Sequence, residues 1–226
     1  MAKHDKKDIG ISTILNPVPV VMVSCAGKDI KDDAQRPNII TIAWAGTVNS
    51  EPPMVTISVR KSRHSHKLIS ETKEFVINLV NKGLAKSCDY CGVKSGSDED
   101  KFSSCGLTPV KAEGLDYAYA IKEAPVSISC KVVSVTELGS HDMFLAEVVA
   151  VTADEYLLDE NGKLCLDKAK LVAYNHGEYF LLGEKLGFFG YSVSSDEVFE
   201  KRMGYSRKVR DKYKVMPKNE KKGKKY

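Results

Sequence analysis

The sequence predicts a mainly β protein, an antiparallel Greek-key barrel with a few short helices, and three observations carry that expectation. Its apolar runs are short, rich in β-branched residues and bounded by Pro, Gly, Asn or Asp, which suits strands. Residues 126–154 read as one long hairpin, VSISCKVVSVTEL and MFLAEVVAVTA around a GSHD turn. No G-x-G-x-x-G occurs in a strand-to-helix setting, so nothing points to a parallel dinucleotide-binding sheet.

Residues 1–10 are charged and expected to be loosely ordered. Pro17 and Pro19 introduce the strand VVMVSC, and the polar loop GKDIKDDAQRPN leads into the central stretch. There, Ile39 to Val48 and Val55 to Arg60 read as two neighbouring strands. Pro52 and Pro53 cannot donate to a ladder, so NSEPP is expected to leave the sheet and expose Thr47, Asn49 and Ser50 at its edge. Polar groups beside Trp44 suit a planar heterocycle.

The next turn, KSRHSH, opens a short helix expected over Lys67 to Lys73, with Ser62 or Ser65 as its N-cap. Arg60, Arg63 and His66 crowd that helix end. Cations are unfavourable at the positive end of a helix dipole, so either a bound anion such as phosphate compensates them or they are solvated loop charges. Glu74 to Val80 reads as a strand in which Asn78 must find partners and braces a loop. NKGLAKSCDYCG and SDEDKFSSCG read as short helices, the second capped by Ser97 or Ser95 and ended by Gly106. His141 sits where the second arm of the long hairpin begins, a place that is usually solvent-exposed. Glycines among the aromatics from Leu171 to Val193 favour turns. Ser195 and Asp196 open a C-terminal helix over residues 195–216, followed by a basic tail, 217–226.

The 226 residues show no dividing linker and are expected to form one domain. The net charge of +4 gathers at the C-terminus, where the tail lacks the aromatic surface of a nucleic-acid binder, so no nucleic-acid partner is expected. Neither a signal peptide nor a membrane span is legible, which suggests a cytoplasmic protein. Six scattered cysteines fit reduced thiols. Cys88 and Cys91 form a C-x-x-C with no second half at zinc spacing, so no metal is expected, and the pair is either redox-active or simply packed.

TIAWAGTVNSEPPMVTISVRKSRHS, followed by EFVINLV, resembles the flavin reductase-like, FMN-binding split-barrel family, in particular its flavoredoxin-like branch, and the resemblance runs from Asn16 to about Val193. It implies a split barrel that forms a homodimer, with two FMN sites at the subunit interface. It also implies that the strand and loop Trp44, Ala45, Gly46, Thr47, Val48, Asn49 and Ser50 lie against the isoalloxazine and ribityl chain, while Arg60, Arg63, Ser65 and His66 hold the phosphate. Asn49 departs from the small or sulfur-containing residue common in relatives. The segment S-G-x-x-x-D-K-F, here Ser95, Gly96, Asp100, Lys101 and Phe102, would cover one side of the flavin, and His141 in its Gly-x-His would be the catalytic residue near the nicotinamide cleft. The implied activity is an FMN-dependent oxidoreductase taking electrons from NAD(P)H or a protein donor to flavin, ferric iron or another acceptor. The alternative is an FMN electron carrier without NAD(P)H turnover.

Overall fold

The computed structural model describes residues 5–204. Its elements are β1 (Val18–Pro19), β2 (Val21–Cys25), β3 (Asn38–Ile42), β4 (Ala45–Ser50), β5 (Pro53–Arg60), α1 (His64–Thr72), β6 (Glu74–Leu79), α2 (Ala85–Val93), α3 (Lys101–Cys105), β7 (Pro109–Lys111), β8 (Tyr119–Ile121), β9 (Val126–Glu137), β10 (His141–Ala153), β11 (Val172–Asn175), β12 (Glu178–Leu181) and α4 (Asp196–Met203). The chain divides after Leu182 into two compact units.

In the first unit, seven strands in the order β3-β2-β6-β9-β10-β5-β4 pair antiparallel throughout. The fold class expected from sequence is therefore present, with one correction to its central stretch. Ile39 to Val48 is not a single strand: β3 and β4 are consecutive in the chain yet lie at opposite edges of the sheet. Ala43 and Trp44 carry the chain across the gap, where Ser58 N donates to Trp44 O at 2.9 Å. The barrel is split at that point.

The barrel interior is filled by alternate residues of these strands, among them Val21, Val23, Ile40, Ile42, Val55, Ile57, Val59, Phe75 and Phe144, and α1 closes it with Leu68 and Ile69. The other face of β2 packs Met22 against α2 and α3 through Cys88, Cys91 and Phe102. This explains why β2 is apolar without alternation: it is covered on both sides. Two buried polar groups brace the far side. Asn78 donates through Nδ2 to Met22 O and Ser24 Oγ and accepts at Oδ1 from Ile121 N and Ser127 Oγ, the bracing role expected of it. The Glu74 carboxylate accepts from the amides of Asp116, Tyr117 and Ala118 and holds the turn before β8.

Local caps differ from expectation. Asp100, not Ser95 or Ser97, caps α3: its Oδ1 accepts from Phe102 N at 3.0 Å and Ser103 N at 3.2 Å. Asp100→Ala should therefore cost about 1 kcal/mol, the usual loss for a helix cap, seen as a lower urea midpoint at unchanged m-value. An unaltered midpoint would mean that the turn holds without it. Gly106, at φ +63°, ends α3 as expected.

In the second unit, Ser195 Oγ accepts from Val198 N and caps α4, as expected. The helix stops at Met203 because Gly204 takes a left-handed conformation, φ +76°. The remainder of the expected 195–216 helix and the 217–226 tail lie outside the described residues. No helix among the described residues is long and apolar enough to cross a membrane.

Candidate functional site

The site forms where β5 ends, α1 begins and β10 starts. Antiparallel register places His141 directly opposite Arg60. Arg63 N donates to Arg60 O, a tight turn that brings a second guanidinium to the same corner. Together with Thr41, Ser58 and Trp44 these residues line a pocket of about 130 Å³, and no carboxylate lines it. Ala43, Trp44 and Ser58 are shared with an adjoining, mostly apolar cleft of about 500 Å³, whose walls also include Ile14, Leu15, Ala45, Gly46 and Thr56. A small cationic chamber thus adjoins a larger apolar one.

Helix α1 begins at His64, earlier than the expected Lys67, with Arg63 at its N-cap. No side chain caps it and no acidic residue stands in its first turn. Free amides and a positive dipole end are consequently available beside Arg63. Ser65 is not the cap; it lies buried inside the first turn, where Asn38 Nδ2 donates to its Oγ at 2.7 Å.

His64 was not singled out from sequence, and it is the most informative residue of the turn. Its Nε2 is buried without a hydrogen-bond partner, and burial, with Lys101, Arg36 and Lys67 nearby, holds its pKa below the ordinary histidine value. The imidazole is therefore neutral at pH 7; it bonds the Ala34 backbone, and three nearby cations disfavour its protonation. The signal available in the sequence was its place in R-H-S-H, among residues already assigned to an anion. Thr41 and Ser58 were also missed. Both sit on strands at outward positions, and Thr41 Oγ1 in addition donates to Cys88 O.

The other residues singled out from sequence separate into distinct groups. Trp44, Ala45 and Gly46 line the apolar cleft. Thr47, Val48, Asn49 and Ser50 continue along the exposed edge strand β4, with Val48 bulged between the pairs Thr47–Val55 and Asn49–Met54. NSEPP does not leave the sheet as a whole: Ser50 pairs with Pro53, only Glu51 and Pro52 form the turn, and Asn49 Nδ2 donates to Pro52 O at 2.8 Å. Pro53 is tolerated as the first residue of β5, beyond Met54, where pairing with β10 stops.

His66 turns away from the chamber. Its Nε2 lies 2.8 Å from Asp142 Oδ2 and its ring meets Phe144 edge-on. Lys101 is buried, and its ammonium donates to Cys91 O at 3.1 Å and Lys94 O at 3.2 Å, carbonyls at the C-terminal end of α2, where a cation is favourable. Burial lowers its pKa. Ser95 Oγ accepts from Ser97 N. Gly96 presses on Asn38, so that a Cβ there would stand 2.2 Å from Asn38 Oδ1. The 95–101 segment thereby supports α1 from behind through Asn38 and Ser65.

His141 Nδ1 lies 2.9 Å from Ser140 Oγ, and burial followed by the Arg60 charge pushes its pKa down. It lines the chamber as a neutral imidazole that can accept a proton. Among the described residues there is no cluster of His, Cys, Asp and Glu that could hold a metal ion.

The residues present fit a flavin nucleotide: Arg60, Arg63 and the uncapped start of α1 would hold its anion, and Trp44 with the small residues Ala45 and Gly46 of β4 would wall a planar ring.

Comparison with known proteins agrees. A structure titled flavoredoxin, from Desulfovibrio vulgaris (Miyazaki F), is 34% identical and superimposes with a TM-score of 0.76 over 84% of this chain and 100% of its own. A flavoredoxin from Methanosarcina acetivorans is 28% identical, with a TM-score of 0.73 over 81% of this chain and 95% of its own. The reductase component of an FADH(2)-dependent resorcinol hydroxylase from Rhizobium sp. is 26% identical over 148 residues, 64% of this chain and 77% of that protein. The model of the flavin reductase like domain matches residues 14–180, which include every strand of the barrel. The chain belongs to the flavin reductase-like, FMN-binding split-barrel family.

Proposed function

We propose that the protein binds FMN and works as an oxidoreductase, taking electrons from NAD(P)H or a protein donor and passing them to flavin, ferric iron or another acceptor. The observation that carries this reading is that the acid-free chamber and the apolar cleft lie side by side, with Ala43, Trp44 and Ser58 in the walls of both. A nucleotide with one terminal phosphate matches a chamber of that size. Bound flavin supplies the ability to accept two electrons together and release them singly. The protein supplies binding and orientation. Arg60 and Arg63 neutralise the phosphate, Trp44, Ala45 and Gly46 wall the ring, and Thr47, Asn49 and Ser50 offer polar groups along β4. His141, neutral at pH 7, lines the chamber and can take up a proton there as pH falls.

We further propose a homodimer. The β4 edge is exposed and unpaired, and Val48, Val133, Val135, Val149 and Val151 are exposed on β4, β9 and β10, a surface that a second copy would cover. A cytoplasmic location suits six cysteines that are all free.

The purified protein is expected to be a yellow dimer that releases FMN, not FAD, on denaturation. A colourless protein that takes up no added FMN would overturn the reading. Anaerobic addition of NADH or NADPH should bleach the bound flavin. If dithionite bleaches it and neither nicotinamide does, the second reading, an electron carrier, holds. That reading is supported by the likeness to two flavoredoxins.

A further inference from the structure

The C-x-x-C of α2 pairs differently from its sequence spacing. The sulfur that Cys91 meets is that of Cys105, from α3, at 3.8 Å, and not that of Cys88. Cys91 is buried and Cys105 is half-buried. Between them the chain runs over the site's rear support, where Gly96 presses on Asn38, which holds Ser65 of α1. Glu99 already bridges the two helices, accepting from Tyr90 Oη and from Ser104 Oγ, both at 2.7 Å. The two helices are thus held with these sulfurs side by side.

We propose that Cys91 and Cys105 are a reversible disulfide site whose closure staples residues 92–104 against the start of α1. A separation of 3.8 Å falls to the roughly 2.0 Å of an S–S bond by side-chain rotation and a small shift of α3. The oxidant is a hydroperoxide. The accessible Cys105 thiolate attacks one oxygen of hydrogen peroxide, the O–O bond breaks, hydroxide leaves and a sulfenic acid forms. The Cys91 thiolate then attacks that sulfur, the S–S bond forms and a second hydroxide leaves. In sum, two thiols lose two electrons and two protons, and the peroxide becomes two waters. Burial pushes the Cys91 thiol up, which makes the second step slow, and the Lys101 ammonium partly opposes this. Hydrogen peroxide is also what a reduced flavin yields with dioxygen, and that source alone rests on the flavin reading.

The test uses the full chain, with and without bound flavin, and added hydrogen peroxide. Remaining thiols are alkylated under denaturing conditions, and the chain is then digested without reductant. Trypsin cuts at Lys94 and Lys101, so a linked pair of peptides joining Cys91 to Cys105, lost on adding dithiothreitol, is the expected product. Cys105→Ser should abolish it and leave Cys91 alkylatable. In the oxidised wild type, hydrogen exchange across residues 94–100 should slow by roughly tenfold. Over-oxidised Cys105 without a link, a Cys88–Cys91 link instead, or a link without slower exchange would each overturn the proposal. Because the flavin-free protein is included, a failure here is separable from a failure to bind flavin.

Discussion

Replacing both guanidiniums, Arg60→Ala with Arg63→Ala, is expected to weaken FMN binding by roughly 100- to 10,000-fold while the barrel stays folded. A hydrogen bond to a charged group contributes about 1.5–3 kcal/mol, so two such contacts to a phosphate amount to about 3–6 kcal/mol, and each 1.4 kcal/mol is tenfold in affinity. Arg60 is exposed, which screens its contribution, so Arg60→Ala alone should fall toward the low end, about 1–2 kcal/mol. Folding should survive because neither side chain belongs to the core: the strands end at Arg60 and the turn is held by its backbone hydrogen bond to Arg63. Ser65→Ala should cost less, since its hydroxyl is already engaged by Asn38. Calorimetric titration of the apoprotein, with thermal melts as the folding control, gives the answer. An unchanged dissociation constant in the double variant would return this turn to ordinary solvated charge.

The barrel was legible because its strands are short, β-branched and punctuated, and the long hairpin around GSHD was read to within two residues of β9 and β10. The break at Ala43 and Trp44 was not, because no turn residue marks it. A chain that crosses from one edge of a nearly closed sheet to the other needs only a bend, and neither Ala43 nor Trp44 carries a turn signal. At the site, the basic turn announced an anion through charge alone, and Trp44, Arg60, Arg63 and His141 do converge on one chamber. Side-chain direction was illegible. His66 and Lys101 carry the same charge signal as Arg63, yet one turns to Asp142 and the other to the end of α2, since those partners lie 76 and 7 to 10 residues away and only the fold brings them close. His64 was hidden for the converse reason: a histidine beside three other basic or hydroxyl residues carries no mark of its own until burial leaves its Nε2 without a partner.

His141→Ala should slow reduction of bound FMN by roughly 10- to 100-fold at neutral pH, the modest end for a proton-donating or positioning group, while leaving most of the binding intact. The geometry gives the reason for this separation. His141 enters the chamber from β10, opposite Arg60, whereas the proposed phosphate contacts come from the β5–α1 turn. Truncation removes one wall and the proton it can hold, but neither guanidinium. The downward shift of its pKa, from burial first and Arg60 second, keeps the ring neutral at pH 7. If its role is to donate a proton, the reduction rate of the wild type must rise as pH falls through that depressed value, because only then does the imidazolium accumulate. The alanine variant should lack this rise, and His141→Gln should restore binding geometry without restoring the pH dependence. Stopped-flow bleaching at matched FMN occupancy, across pH and with whichever donor works, separates these cases. Equal rates in wild type and variant would remove His141 from the mechanism and favour a carrier governed by flavin exposure. A variant that no longer holds FMN would make the hairpin turn part of the binding site instead.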